Sequence, residues 1–223
     1  MRLLRGALLA LVVLLVVGLV RRARPAPPVR SIVLLPMVDT PLPELAAAAA
    51  SLAERFPGLQ IAVAKTARSV PAAAWSEERG QVMGEPLLEL LAAEPPGTIA
   101  VLTEDLGSND LSFLFGAMRP GLGRAVVSVA RLRTVDGAAF DPSLPLDGPV
   151  IARAAPRLAN QLTSSIAKLL GASFPCEETV CVLRYPSNVA DLDAKGGAFC
   201  PRHADQVRAL LAKHQRHGAA ANP

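Results

Sequence analysis

Cys176, Cys181, Cys200 and His203 carry the chemistry most legible in this chain, spaced as C-x4-C, eighteen residues, then C-x2-H. Thiolate and imidazole suit zinc, and two sequence-close pairs joined by a longer loop are how tetrahedral zinc sites are usually built. These are the only three cysteines of the protein, and His214 and His217 are its only other histidines. The expected cofactor is therefore one structural zinc, stapling a C-terminal module poor in large apolar residues. The rival is a disulfide between two of the cysteines with one thiol left free, which becomes serious if the domain is exported to an oxidising compartment. A redox or catalytic cysteine finds no activating partner nearby in the sequence.

Three further sets merit weighing. Ser165-Ile-Ala-Lys168 matches the S-x-x-K nucleophile motif. Its companion K-T-G is missing, Ser108-Asn109-Asp110 is not S-D-N, and positions i and i+3 are simply neighbours on one helix face. A hydrolase built on Ser165 and Lys168 is kept as the alternative; the plainer reading is an ordinary surface turn. Glu104-Asp105 ends a strand and Asn109-Asp110 opens the following loop, where α/β sheets often collect ligands. Turn chemistry at Gly107 and Asn109 accounts for them equally well. Asp191 and Asp193 read as solvated.

The elements that must position these groups follow from apolar patterning and punctuation. Ser31–Met37 is a short buried strand, Pro41–Arg55 an Ala-rich helix stopped by Pro57-Gly58, and Leu59–Lys65 a second strand. A helix runs from Gly84-Glu85-Pro86 to Ala93, and Thr98–Thr103 is a third strand. Ser112–Gly116 and Arg124–Arg133 read as two more, separated by Arg119-Pro-Gly-Leu-Gly123. Residues 134–149 are loop, a long helix runs from Val150 to Leu170 with Gly171 as its C′ residue, and a terminal helix covers Ala204–His214. The order predicts an α/β fold, its sheet largely parallel with antiparallel pairing at one edge.

The basic pI of 9.3 is a property of one end. Arg2, Arg5, Arg21, Arg22, Arg24 and Arg30 fall in the first thirty residues without a single acid; the remainder holds 17 basic and 19 acidic residues. Nucleic acid is thus not an expected partner. Arg2 and Arg5 precede fifteen apolar residues, Gly6–Val20, with Arg21 and Arg22 directly behind. As a helix this run rises about 22 Å, short of a bilayer core of roughly 30 Å unless the flanking arginines snorkel. With no small-x-small cleavage site, residues 1–22 read as an uncleaved anchor in preference to a signal segment. The domain is then membrane-anchored or exported, and arginines at both ends leave its side undetermined. Residues 23–30 form a Pro-rich linker, 31–171 the α/β domain, 172–217 the zinc-stapled subdomain and 218–223 a disordered tail.

A family resemblance covers roughly Ile32 to Leu211. Gly80-Gln81 ahead of a Leu-rich helix, Val101-Leu-Thr-Glu-Asp-Leu106, Leu111-Ser-Phe-Leu-Phe-Gly116 and Ala125-Val-Val-Ser-Val-Ala-Arg-Leu132 follow in the order seen in archaemetzincins. The family signature H-E-x-x-H-x-x-G-x-x-H-C-x4-C-x-M, a longer spacer, C-x-x-C is more specific. Its second half resembles Cys176-x4-Cys181-Val-Leu183 and Cys200-Pro-Arg-His203, with Leu183 for methionine and His203 for the last cysteine. The resemblance implies a metzincin-like mixed sheet with a long central helix, and a structural zinc in which Cys3His replaces four thiolates. The first half of the signature is missing. Counted back from Cys176, its histidines fall on Ser165, Leu169 and Pro175 and its glutamate on Ile166. Aligned on Gly171, the first three positions fall on Ser164, Ser165 and Lys168. Neither register offers the three imidazoles or the base that metal-assisted hydrolysis requires. A residual zinc metallopeptidase would need His214 and His217 to fold back. The expectation is a chain with no catalytic residues of the family, retaining one structural zinc and a vestigial groove for a peptide or protein ligand.

Overall fold

The computed structural model describes residues 29–37, 43–134 and 147–219. β1 (Ser31–Pro36) lies between β2 (Gln60–Val63) and β5 (Thr98–Leu102) and is parallel to both. β8 (Arg124–Ser128) pairs parallel with β5, and β7 (Gly116–Arg119) closes the sheet antiparallel to β8. The order β2-β1-β5-β8-β7 is the largely parallel sheet with one antiparallel edge that the sequence predicts.

Period-two alternation splits the buried side chains between two faces. Ile32, Leu34, Ile99, Val101, Ala125 and Val127 point to a core shared with two helices, α1 (Pro43–Arg55) and the long α3 (Gly148–Leu169). Leu35, Ala100, Leu102 and Val126 point the other way, onto Leu87, Leu88 and Leu91 around α2 (Gly84–Leu90). Both faces are covered, which is why the central strands read as unbroken apolar runs. β2 is the exception: an edge strand and mostly exposed, it spans only Gln60–Val63 of the predicted Leu59–Lys65.

Two expected strands shift. Ser112–Gly116 is not a strand; only Leu114 bridges, to Leu106, and β7 starts where that segment ends. The turn at Pro120–Leu122, closed by Gly123, pairs Arg119 with Arg124 and so sets the register. β8 stops at Ser128, and Arg131–Arg133 form a 3-10 turn. A second small sheet joins β3 (Trp75–Ser76), β4 (Gln81–Met83) and β6 (Leu106–Gly107), strands too short to leave a periodic signal. It rests on a polar knot: Arg131 donates to both oxygens of Asp105, each at 2.8 Å, and Gln81 Nε2 donates to Asp105 Oδ2 at 2.7 Å. Asp105 is thus engaged in structure at the strand end.

α3 starts two residues earlier than expected because Asp147 caps it, accepting the Val150 N–H at 2.9 Å. Beyond it come α4 (Val189–Ala194), capped by Asn188, and α5 (Pro201–Ala219). α5 begins at Pro201, three residues ahead of Ala204, as proline suits a first helical turn. Asp193 is not simply solvated. It accepts from Arg157 Nε at 2.6 Å and Nη2 at 2.5 Å, tying α4 to α3, and Asp191 accepts the Ser187 N–H.

Cys176, Cys181, Leu183, Leu192, Val207 and Leu211 share the core of the first sheet face, so the C-terminal module packs directly onto the α/β body. Among the described residues no helix is long and apolar enough to cross a membrane. The anchor or signal segment expected at residues 1–22 and most of the 23–30 linker lie outside the described residues, as do residues 220–223 of the expected tail.

Candidate metal centre

Three chain segments deliver the four predicted ligands. Cys176 sits in the extended chain behind α3, and its N–H donates to the Leu183 carbonyl at 3.3 Å. Cys181 opens a tight turn in which the Arg184 N–H donates to the Cys181 carbonyl at 2.9 Å. Cys200 stands immediately before α5, and His203 lies in its first turn. All four are buried, His203 and Cys181 completely.

Their donor atoms lie within 4.8 Å of one another, the one such convergence of His, Cys and carboxylate donors among the described residues. Tetrahedral zinc, with bonds of about 2.3 Å to sulfur and 2.0–2.1 Å to nitrogen, needs S···S near ~3.8 Å and S···N near ~3.6 Å. Cys176 Sγ and Cys200 Sγ are 3.9 Å apart, and His203 Nδ1 lies 3.6 Å from Cys181 Sγ and 3.1 Å from Cys200 Sγ. The donor set fits zinc. All three cysteines are free thiols in this arrangement.

The electrostatics also suit a cation. Burial, then Arg202, pulls the His203 pKa down, so the imidazole is neutral and its Nδ1 lone pair available at pH 7. Burial pushes the Cys181 thiol up to about 11; N–H groups of Cys200 and Leu183 oppose this, while the neighbouring sulfurs add to it. Cys200 lies below its usual value: burial works against ionisation, but the His203 N–H, the two thiols and Arg202 outweigh it. A metal ion would displace the Cys181 proton. On the far side of the ring, His203 Nε2 is 3.1 Å from Ser173 Oγ, whose hydroxyl donates to Gln206 Oε1 at 3.0 Å. With Nδ1 facing the sulfurs, the ring proton is assigned to Nε2 with Ser173 Oγ as its acceptor; Arg202 Nη2 lies further off, at 3.5 Å from Nε2.

The segment in which the family signature places its catalytic histidines is built differently. Gly171 adopts φ +104, a left-handed conformation that turns the chain sharply at the end of α3. In the register that aligns Gly171 with the signature glycine, this turn falls at the glycine and Phe174 stands three residues further on. Lys168 Nζ lies 3.5 Å from the Phe174 ring centroid, so in that register the second and third histidine positions meet as an ammonium on an aromatic face. Ser164 and Ser165 are buried in the turn before, as are Ile166 and Leu169. The Ser165–Lys168 stretch is thus not a surface turn, because α3 is covered along most of its circumference. Burial, then Lys195, pulls Lys168 down to about 7. His214 stands on α5 eleven positions beyond His203, about 16 Å along the helix axis, and is not part of the cluster of metal-type donors.

Sequence reasoning found the four ligands and missed what surrounds them. Gln206, one turn beyond His203 on a helix, was the accessible clue; Ser173 and the fully buried Lys195 left no local signal.

No family model matches the chain. An archaemetzincin of Methanopyrus kandleri is 31% identical over 155 residues, 68% of this chain and 80% of that protein. An archaemetzincin of Archaeoglobus fulgidus is 29% identical over 111 residues, 50% of this chain and 59% of its own length. The crystal structure of the M. kandleri protein superimposes with a TM-score of 0.64 at 25% identity, covering 84% of this chain and 98% of the other. That of the A. fulgidus protein, complexed with malonate, gives 0.64 at 25% identity, covering 79% and 99%.

Proposed function

Because the chain belongs to the archaemetzincin family of zinc metallopeptidases, we propose that it is a non-proteolytic member. It binds one structural zinc through Cys176, Cys181, Cys200 and His203 and keeps the groove as a binding surface for a peptide or protein. The observation carrying this reading is the pairing of Lys168 with Phe174, which in the register aligned on Gly171 occupy positions where a catalytic zinc would need imidazoles. An ammonium on an aromatic face holds no metal, and neither Ser164 nor Ser165 can take the proton of a metal-bound water.

Zinc would be held as a closed four-ligand site, leaving no position for water; its role is to stabilise the fold. Metal analysis of the purified chain should give one zinc per molecule, and peptide hydrolysis should be absent with that zinc in place. Two tightly held zincs, or hydrolysis abolished by a chelator, would refute the proposal.

The second reading, a hydrolase using Ser165 and Lys168, draws on the Lys168 pKa near 7, which suits a base. The ammonium is occupied by Phe174, and among the described residues no hydrogen bond joins it to Ser165. A fluorophosphonate adduct on Ser165 of the folded chain would establish that reading. We further propose that residues 1–22 anchor the domain to a membrane or direct its export; full-length chain recovered entirely in the soluble fraction of intact cells would exclude the anchor.

A further inference from the structure

Lys195 is only 2% exposed and ranks among the largest fully buried side chains of the protein. Its ammonium makes one long hydrogen bond, to the Arg184 carbonyl at 3.5 Å, and among the described residues no carboxylate pairs with it. A buried cation without a counter-charge is strongly unfavourable, so the surroundings of Lys195 should contain one.

The backbone shows where. The Gly196 N–H donates to the Val180 carbonyl at 3.0 Å, and the Val182 N–H donates to the Ala198 carbonyl at 2.8 Å. The segment following Lys195 therefore runs along the segment that carries Cys181. The Lys195 side chain reaches the end of the same turn, at Arg184, whose N–H closes back on the Cys181 carbonyl. Burial pulls the Lys195 pKa down to about 8, and Cys181, once ionised, opposes that shift.

We propose that Lys195 is the counter-charge of the metal centre, a positioning residue that holds the zinc–thiolate cluster by its charge. The inference rests on the reading of the four residues as zinc ligands. Three thiolates, one neutral imidazole and a divalent cation sum to a single negative charge, which the buried Lys195 ammonium offsets within the core, while the exposed Arg202 acts on Cys200 and His203 from the solvent side. Each then cancels the other's desolvation: the cluster makes Lys195 tolerable in the core, and Lys195 makes thiolate ionisation favourable there.

The test uses the full chain loaded with zinc and, separately, with cobalt(II). Lys195→Met keeps the length and apolar stem of the side chain and removes the charge. It should release zinc to a chromophoric chelator at least tenfold faster than wild type. Its cobalt form should show the sulfur-to-cobalt charge-transfer band moved to lower energy, because thiolates relieved of a nearby cation donate more readily. Lys195→Arg should stay within threefold of wild type in release rate and keep the band position. Zinc-replete Lys195→Met that matches wild type within twofold in rate, with an unmoved band, overturns the counter-charge. Should Lys195→Met not fold around zinc, the arginine variant decides: zinc retained supports the proposal, and zinc lost with a native far-UV spectrum overturns it. A wild-type chain that holds no zinc at all overturns the metal reading beneath it.

Discussion

Ser173→Ala should weaken zinc binding about tenfold while leaving all four ligands in place. His203 is completely buried, and its Nε2 proton has Ser173 Oγ as its partner at 3.1 Å. Removing an acceptor from a buried donor costs about 1–3 kcal/mol. Ser173 itself is exposed, so water can take over part of the lost bond and the cost falls near the lower end, about 1–1.5 kcal/mol. With about 1.4 kcal/mol per decade, that is roughly tenfold in affinity. Gln206→Leu removes the partner one step further out. Gln206 Oε1 accepts both the Ser173 hydroxyl and the Ser173 N–H, at 3.0 and 3.2 Å, but both donors can turn to solvent. Its effect should be about twofold, for a loss near ~0.5 kcal/mol. Competition against a chromophoric zinc chelator at fixed pH measures both. Ser173→Ala within twofold of wild type, or a Gln206→Leu variant that binds zinc less tightly than Ser173→Ala, would refute the relay as the device that fixes the ring.

Two further outcomes follow from the end of α3. Lys168 has its pKa lowered from 10.5 to about 7 by burial and then by Lys195, so its charge penalises folding fully below pH 7 and not at all above pH 10.5. The urea midpoint of Lys168→Met relative to wild type should therefore be higher at pH 6.5 than at pH 10; an equal or reversed difference would show that Lys168 is not desolvated. Gly171→Ala should cost about 1–2 kcal/mol, the strain of a left-handed L-residue, since an added Cβ meets nothing nearer than Leu210 Cδ2 at 3.7 Å. A variant as stable as wild type in urea melts would show that the turn does not require φ +104.

The sequence by itself determined the Cys3His donor set and the parallel sheet, and it places no imidazole between residues 164 and 175. Those features are written in residue type and short spacing: Cys176/Cys181 and Cys200/His203 as local pairs, apolar runs for strands covered on both faces, and the absence of imidazole from 164 to 175. Where pattern is short or pairing is long-range, it fell silent. β3, β4 and β6 are two or three residues each and exist because they pair with one another. The β7 register is set by the turn at Pro120–Leu122, and not by the apolar stretch before it.

Only the tertiary structure showed how the segment after α3 is built, because a left-handed backbone angle at Gly171 and a contact between Lys168 and Phe174 are not written in residue type. It also decided which charged groups are buried beside the metal centre. Lys195 and Asp193 look alike in sequence, polar residues on or beside a short helix, yet one is buried near Cys181 and the other is bound to Arg157. The physical reason is that ligation depends on residue identity, which a sequence states outright. Desolvation and counter-charge depend on what the rest of the chain folds around each group.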